Sequence, residues 1–351
     1  LKYTKLNKEN PHENTRKEHD LLGDRDVPAD AYYGVQTLRA YENFNITGVR
    51  LHQFDTFINA FAQVKKAAAL ANHEVGALDG KIKDAIVAAC DEILAGALHD
   101  QFVVDMIQGG AGTSTNMNVN EVIANRALEL LGHQKGEYQY CHPNNHVNHA
   151  QSTNDAYPTA LHVALDAYIE RLIKSLQVLH DSFARKSREF GDKLKMGRTH
   201  LQDAVPMTAG QEFNAFATMI AIEIERLDEP RRRLYEINMG ATAIGTGLNA
   251  PAGYAAACAR HLAALTGKPY HTAEDLIQAT QDTSAYVHLS GNLRLIATRL
   301  SKIANDLRLL SSGPRAGLAN YHLPDRQPGS SIMPGKVNPV IPEVVNQTCF
   351  H

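Results

Sequence analysis

The stretch ALHVALDAYIERLIKSLQVLHDSFARKSREF, residues 160–190, decides the fold class. It contains no glycine or proline, and its apolar residues recur at spacings of three and four, which places them on one face of a helix. They are Leu161, Leu165, Ile169, Leu172, Leu176, Leu179 and Phe183. A helix of this length is unusual in a globular domain. Because so long an apolar stripe needs other long helices to cover it, the stretch predicts a helical bundle with partner helices from other subunits.

Helical periodicity continues on both sides of this stretch. Two more long runs cover residues 209–229, ended by Pro230, and residues 285–312, ended by Gly313-Pro314. Shorter helical runs cover residues 56–75, 81–95 and 116–131, and the alternation typical of strands is nearly absent. The sequence therefore predicts an all-α fold.

The same pattern indicates how the chain divides. The shorter helices of residues 21–150 are predicted to form an N-terminal helical domain, and residues 151–351 a central long-helix bundle domain. Residues 1–20 are charged and nearly devoid of apolar side chains, so we expect a disordered or tag-like tail there rather than a signal peptide.

Composition excludes several classes of protein. The 351 residues are 44% hydrophobic, which is ample for a large core of two or three domains. A net charge of −3 gives no electrostatic basis for binding nucleic acid or an anionic membrane. No apolar run has the length needed to cross a bilayer. The four cysteines form no CxxC pair, and a core of this size needs no disulfides, so a cytoplasmic location is expected.

Polar residues concentrate where helices are predicted to begin. Thr113-Ser114-Thr115 precedes one helix, Ser152 with Asp155 has the form of a capping box, and Thr208 with Gln211 forms a second one. Asn338-Pro339 is typical of an N-cap followed by proline. Plain capping explains each segment taken alone. Several such ends meeting at one point would hold a dicarboxylate, because a helix N-terminus offers free N–H groups and partial positive charge.

The loop GPRAGLANYHLPDRQPGSSIMPGKVNP, residues 313–339, favours a functional interpretation. A loop this long and rich in glycine and proline is more often a lid than a connector. Gly329 and Gly335 allow a close approach of the backbone to a ligand, Lys336 carries a charge suited to a carboxylate, and Ser330 is a candidate reactive group. The loop therefore indicates acid–base chemistry on a small anion.

Other motifs are weaker. The glycine-rich segment 240–247 lacks the Lys-Ser/Thr that a phosphate loop requires. Cys141, His142, His146 and His149 are candidate zinc ligands, but their spacing fits no common site, and surface or interface histidines are the favoured interpretation. No metal site is predicted.

Four segments carry a resemblance to a known family. GSSIMPGKVNPVIPEVVNQ (residues 329–347) is similar to the signature loop of the aspartase/fumarase superfamily. GAGTSTNMNVNEV, KGEYQYCHPNNHVNHAQSTNDAYPT and GRTHLQDAVPMTAGQEF match the other active-site segments of that superfamily in its order, and the resemblance runs from about residue 21 to 350. The aspartase branch is the closer one, above all in VIPEVVNQ. His200 departs from it, because many aspartases have Gln at this position and many fumarases have His.

The resemblance implies an all-α homotetramer built around a central helical bundle, with each active site shared by three subunits. It also implies further bundle helices and a small third domain beyond residue 351, so the bundle domain is expected to be C-terminally incomplete here. Ser330 would be the general base, with His200 as a second catalytic residue. Glu343 would pair with His200 or support it. The residues expected to bind substrate are Thr113, Ser152, Thr153, Asn154, Thr199, His200, Ser331, Lys336 and Asn338.

The activity implied by the resemblance is the reversible deamination of L-aspartate to fumarate and ammonia. Abstraction of the Cβ proton by serine would lead through an aci-carboxylate intermediate, with no cofactor predicted; activation by a divalent cation is not predicted from the sequence. Fumarate hydratase, or another lyase of the superfamily, is the nearest alternative. A non-catalytic structural or binding protein of this fold is a more distant one, since Ser330 and Lys336 are both present.

Overall fold

The computed structural model describes residues 14–351, most of which lie in helices. The helices are α1 (Val35–Asn43), α2 (Asp55–Glu74), α3 (Gly80–Leu94), α4 (Thr113–Leu130), α5 (Thr153–Glu189), α6 (Ala209–Arg226), α7 (Asp228–Arg233), α8 (Tyr254–Thr266), α9 (Leu276–Gln281), α10 (Ser284–Leu310) and α11 (Val340–Phe350). The six helical runs predicted from periodicity are all present, and the all-α prediction is confirmed. No helix in the described part of the chain is long and apolar enough to span a membrane.

The strands are short and occur in pairs. They are β1 (Thr15–Asp20), β2 (Gly23–Pro28), β3 (Leu194–Thr199), β4 (Gln202–Thr208), β5 (Glu236–Ile237) and β6 (His271–Thr272). The first two pairs are antiparallel hairpins, and the third pair is parallel.

The tail predicted for residues 1–20 lies mostly outside the described residues, and it is wrong for the part that is described. Residues 15–20 form β1, paired with β2. Apolar burial does not hold this segment in place. Instead, the Arg16 guanidinium donates hydrogen bonds to the carbonyls of Pro28, Ala31 and Tyr33 at 2.9, 2.7 and 2.6 Å. Apolar periodicity does not predict a strand that is fixed by polar contacts.

The longest helix, α5, has 37 residues and begins earlier than predicted because it includes Pro158. Proline has no N–H to donate to the carbonyl four residues earlier, which here belongs to Asn154. The Asn238 side chain replaces the missing donor, since its Nδ2 lies 3.0 Å from the Asn154 carbonyl oxygen. The proline is therefore accommodated without leaving the Asn154 carbonyl unpaired.

The described chain divides into two compact units. Unit 1 comprises residues 14–168 and Arg233–Asp282, and unit 2 comprises Ile169–Arg232 and Thr283–His351. The division falls inside α5 rather than near residue 150 as predicted. Residues 233–282 were expected in the bundle but belong to unit 1, because α8 contributes buried Cys258 and Leu262 to the core that α2, α3 and α4 form.

Unit 2 contains α6, α7, α10, α11 and the C-terminal part of α5. Its aromatic side chains cluster between α5 and α6, where Phe183, Phe213 and Phe216 lie 5.6–6.2 Å apart between ring centroids. At the start of α6, Thr208 and Gln211 form the predicted capping box. The β3–β4 hairpin and residues 311–339 connect these helices and carry the polar segments described below.

Candidate active site

In unit 2 the segment Gly329–Asn338 folds into a closed turn. The Gly329 N–H donates to the Lys336 carbonyl at 2.7 Å, and the Asn338 side-chain N–H donates to the Gly329 carbonyl at 3.1 Å. A Cβ atom on Gly329 would lie 2.8 Å from Asn338 Oδ1, closer than real Cβ atoms approach. Glycine is therefore required here by the close approach of Asn338.

Ser330 has two N–H groups aimed at its hydroxyl oxygen. The backbone N–H groups of Ile332 and Met333 each donate to Ser330 Oγ at 3.2 Å. Hydrogen bonds received by an oxygen favour its charged form over its neutral form. The half-buried Ser330 hydroxyl thus lies where a developing negative charge would be stabilised, whereas Ser331 and Lys336 on the same turn are exposed.

The capping prediction for Asn338-Pro339 is wrong. Pro339 itself is the N-cap of α11, which begins at Val340, and no side chain caps this helix. The Asn338 side chain bonds to Gly329 instead, because the chain must turn back at that point to close the loop. Glu343 lies in the first turn of α11, where a negative charge is favourable.

Thr199 and His200 lie at the exposed tip of the β3–β4 hairpin. His200 and Leu201 both have positive φ, 52° and 63°, as the two central residues of a tight hairpin turn require. This backbone is unfavourable for residues with a Cβ atom, and such strain is typical of functional sites. Within the described residues no ion pair joins Glu343 to His200, so the pairing of these two residues stays a prediction.

In unit 1, α4 begins at Thr113, so Thr113-Ser114-Thr115 forms its first turn rather than preceding it. The N-cap is Gly112, at φ 91°, a conformation that favours glycine. The ring of Tyr157 occupies the space that a Cβ atom on Gly112 would need. The start of α4 therefore packs against the first turns of α5, which brings Thr113 and the segment 152–154 to the same region of the unit.

The start of α5 is fixed by Asp155. Its carboxylate accepts from the Ser152 N–H at 2.9 Å, as a capping box requires, while the Ser152 hydroxyl accepts from the Asn154 N–H at 3.2 Å. The other Asp155 oxygen accepts from the Gly240 and Thr242 N–H groups, at 3.2 and 3.0 Å. Burial raises the Asp155 pKa to about 6, against the opposing effect of these donors.

Two N–H groups of the segment 240–247, those of Gly240 and Thr242, therefore bind the protein's own carboxylate and not a phosphate. The Asn154 side chain also donates to the Ala243 carbonyl, at 2.7 Å. Both contacts hold this glycine-rich segment against the start of α5.

A buried lysine that the sequence did not reveal as a site residue lies beneath these two helix starts. The Lys65 ammonium donates to three amide oxygens, those of Asn116, Asn148 and Gln151, at 2.7, 3.0 and 2.9 Å. Its complete burial lowers its pKa to about 7. Asn116 in turn donates to the Thr153 hydroxyl at 3.3 Å, so the lysine network reaches a predicted substrate-binding residue.

The histidines of the segment 141–149 have structural partners. His142 Nδ1 accepts from the N–H groups of Asn144 and Asn145, and His146 Nδ1 accepts from the His142 N–H at 2.7 Å. Both rings are half-buried. From residue 14 onward, no group of three metal-ligating side chains is suitably placed to hold an ion. The surface or interface exposure expected for these histidines is therefore only partial.

The predicted site residues therefore fall into two sets. Unit 1 brings together Thr113, Ser152, Thr153 and Asn154, and unit 2 carries Thr199, His200, Ser330, Ser331, Lys336, Asn338 and Glu343. In unit 2 the turn 329–338 groups the base candidate with the lysine. Unit 2 alone thus carries an activatable hydroxyl, a cation and further hydroxyl groups, which are suitable for removing a proton next to a carboxylate.

Comparisons with known proteins agree with this chemistry. A profile of a family described as lyases matches residues 23–351. A Helicobacter pylori aspartate ammonia-lyase is 59% identical over 335 residues, 95% of this chain and 72% of that protein. The Escherichia coli aspartate ammonia-lyase is 57% identical over 338 residues, 96% of this chain and 71% of that protein.

Two solved structures are similar along almost the whole chain. A Brucella melitensis protein described as a fumarate lyase:delta crystallin, bound to cobalt, aligns with a TM-score of 0.94 at 55% identity, covering 96% of this chain and 73% of its own. A class II fumarase from Schistosoma mansoni aligns with a TM-score of 0.93 at 36% identity, covering 96% and 74%.

Proposed function

This chain belongs to the lyase family of the aspartases and fumarases, and from that premise we propose that it catalyses the reversible deamination of L-aspartate to fumarate and ammonia. The relatives named aspartate ammonia-lyase share more of this sequence than the similar fumarase does, which supports ammonia rather than water as the leaving group.

The observation that carries the proposed mechanism is the pair of amides on Ser330. The reaction removes a proton from the carbon next to the β-carboxylate, and that C–H is very weakly acidic. Serine serves as the base only if its oxygen carries negative charge, which needs a stabilising environment. The N–H groups of Ile332 and Met333, both 3.2 Å from Ser330 Oγ, supply one. Ser330 is therefore the proposed base.

Once the Cβ proton has moved to Ser330, the electron pair spreads into the β-carboxylate as an aci-carboxylate dianion. The C–N bond then breaks and ammonia leaves. Each donor aimed at the developing charge is worth about 2.7–4 kcal/mol. The proposed donors are the hydroxyls of Thr113, Ser152 and Thr153 and the loop amides around Ser331. Every step is assigned to side chains and backbone of the protein, with no organic cofactor.

The remaining groups bind the other end of the substrate. Lys336, exposed on the closed turn, is proposed to bind the α-carboxylate. Asn338, which shapes that turn through its bond to Gly329, is proposed to bind the same carboxylate. Thr199, His200 and Asn154 are proposed to surround the amino group, with His200 as the second catalytic residue and Glu343 supporting it.

We also propose that the active protein is a homotetramer in which each site draws on three subunits. The exposure of Thr113, Asn154, His200 and Lys336 in a single chain supports a site that other copies complete. Mixing Ser330→Ala chains with Thr153→Ala chains tests this arrangement. If Ser330 and Thr153 of one site come from different subunits, mixed tetramers would contain some sites in which both residues are intact. We expect the mixture to recover activity. If mass spectrometry confirms that subunits have exchanged and activity is still absent, the sites are not shared between subunits.

Separate incubations with L-aspartate and L-malate, followed by the ultraviolet absorbance of fumarate, test the activity itself. Turnover of aspartate with little turnover of malate is expected. The reverse preference would reassign the chain to the fumarase reaction. A protein that is folded and tetrameric but turns over neither substrate would reject the proposal.

A further inference from the structure

The segment that leads from α10 to the closed turn of unit 2 is bonded back to the end of α10. After α10 ends at Leu310, residues 311–319 leave the helix and return to it. The N–H groups of Asn320 and Tyr321 both donate to the Leu310 carbonyl, at 2.8 and 3.2 Å. The connection to the closed turn therefore starts at Tyr321, and residues 322–328 alone separate this anchor from the turn that begins at Gly329.

Tyr321 is held by side chains of two other elements. Its hydroxyl donates to the Glu212 carboxylate in the first turn of α6, and the Lys195 ammonium on β3 donates to the same oxygen at 2.7 Å. Lys195 Nζ also lies 5.2 Å from the centroid of the Tyr321 ring, and Phe213 packs against that ring edge-on at 5.4 Å. The Lys195 side chain is only 7% exposed, so this contact is shielded from water.

The neighbouring residue adds a link to the hairpin tip. Arg198 on β3 donates to the Asn320 side-chain oxygen at 3.0 Å. Arg198 immediately precedes Thr199 and His200. Residues 320 and 321 are thus joined to β3 by two contacts: Asn320 to Arg198, next to the hairpin tip, and Tyr321 to Lys195, near the start of the strand.

We propose that Tyr321 is a positioning residue that, through Glu212 and Lys195, sets the origin of the segment carrying Ser330 and Lys336 and keeps it in register with the β3–β4 hairpin, whose tip carries Thr199 and His200. The inference rests on the proposed function, because it assigns Tyr321 to the same site. Tyr321 does not contact the substrate; it acts through the place where the loop is anchored.

The size of the effect follows from loop closure. We call the free chain before Gly329 the tether. When Tyr321 is anchored, the tether comprises residues 322–328. When that anchor is lost, the tether starts after Leu310 and comprises residues 311–328. The chance that a flexible tether places its end correctly falls as about the −3/2 power of its length. Lengthening from about 7 to about 18 residues therefore lowers the correctly placed fraction about fourfold.

Tyr321→Phe isolates this role, because it keeps the ring on Phe213 and removes the bond to Glu212. Tyr41→Phe is the matched control; the ring of Tyr41 lies in α1, where it holds the Arg50 guanidinium 4.5 Å from its centroid. We expect Tyr321→Phe to lower kcat/KM for aspartate up to about fourfold at an unchanged melting temperature, and the control to have no effect. In a Glu212→Gln background, Tyr321→Phe should lower kcat/KM by a smaller factor, because Glu212→Gln has already removed part of the contact among Tyr321, Glu212 and Lys195.

A readout that does not depend on turnover separates this inference from the proposed function. Arg326 is exposed within the tether, so trypsin cleavage after Arg326 reports how freely the loop moves. Tyr321→Phe is expected to speed this cleavage, and the control to leave it unchanged. Absence of aspartate turnover in the wild type with faster cleavage in Tyr321→Phe would reject the proposed function alone. Unchanged cleavage and unchanged kcat/KM, or losses that match a lowered melting temperature, would overturn the positioning role.

Discussion

The backbone N–H of Met333 lies 3.2 Å from Ser330 Oγ, on the turn that also carries Lys336. Ile332 donates to the same oxygen, so the hydroxyl has two donors that the loop backbone holds in place. Donors fixed in advance need no reorganisation when charge develops, which makes them more effective than mobile water. The geometry of this turn therefore links a glycine-rich sequence to the acid–base chemistry proposed for it.

Ser330→Ala removes the proposed base and leaves the turn's backbone bonds in place. We expect kcat for aspartate to fall by about 10²–10⁴, the usual contribution of a positioned base, while the melting temperature changes little. Steady-state kinetics and thermal unfolding measure the two effects. Ser175→Ala on α5, whose hydroxyl donates to the Arg171 carbonyl, is the matched control. Turnover of Ser330→Ala within a few-fold of the control would reject Ser330 as the base.

Lys336→Met tests the proposed contact with the α-carboxylate. Because the lysine is exposed and on the turn's surface, its loss should leave folding intact. A hydrogen bond to a charged group is worth about 1.5–3 kcal/mol, so KM is expected to rise about ten- to a hundredfold with a smaller change in kcat. Lys174→Met, on the exposed face of α5, is the control. An unchanged KM in Lys336→Met would show that the carboxylate is bound elsewhere.

The sequence predicted the long helices well because their apolar periodicity is local information. The run that begins at residue 160 belongs to α5, and those at 209 and 285 belong to α6 and α10. The predicted ends of the helices were less accurate where a side chain replaces a backbone hydrogen bond. Asn238 bonds to the Asn154 carbonyl and thereby lets α5 continue through Pro158, and no pattern within α5 reveals a donor so distant in the chain.

The site was predictable only in part for a similar reason. The family segments identified Ser330 and Lys336, but the function of Asn338 as a turn-closing residue depends on a contact with Gly329. Lys65 was assigned to a helix of mostly apolar residues, and its partners come from α4 and from the segment before α5. A lysine on the buried face of a helix is itself a signal in the sequence, because lysine is almost never fully buried unless it is paired.

Gly329→Ala is expected to open the catalytic turn. The added Cβ would meet Asn338 Oδ1 at 2.8 Å, so Asn338 must move and its bond to the Gly329 carbonyl weakens. Because residues 331–337 of the turn are exposed, stability should change by less than about 1 kcal/mol, while kcat/KM for aspartate falls at least about tenfold.

Gly291→Ala in α10 is the matched control, because a Cβ there meets no atom within 4 Å. It should leave activity unchanged and stabilise the helix by up to about 1 kcal/mol. If Gly329→Ala retains the kcat/KM of this control, close packing of Asn338 on Gly329 is not needed for catalysis.

Lys65 predicts a pH dependence of stability. Its pKa is lowered to about 7 in the folded protein, against an ordinary value of 10.5. Between these values the unfolded chain binds the proton more tightly than the folded one, so stability rises with pH across this window. From pH 7 to pH 9 the gain in unfolding free energy attributable to this group is about 2 kcal/mol.

Comparing Lys65→Met with wild type in urea unfolding at these two pH values isolates that contribution, since other titrating groups are common to both proteins. The stability gap between wild type and variant should shift by about 2 kcal/mol in favour of the wild type as pH rises. Lys66→Met, next in the chain and paired with the half-exposed Asp91, should show no such shift. A gap that stays constant for Lys65→Met would mean that its ammonium remains charged throughout this range, held by the amide oxygens of Asn116, Asn148 and Gln151 in spite of burial.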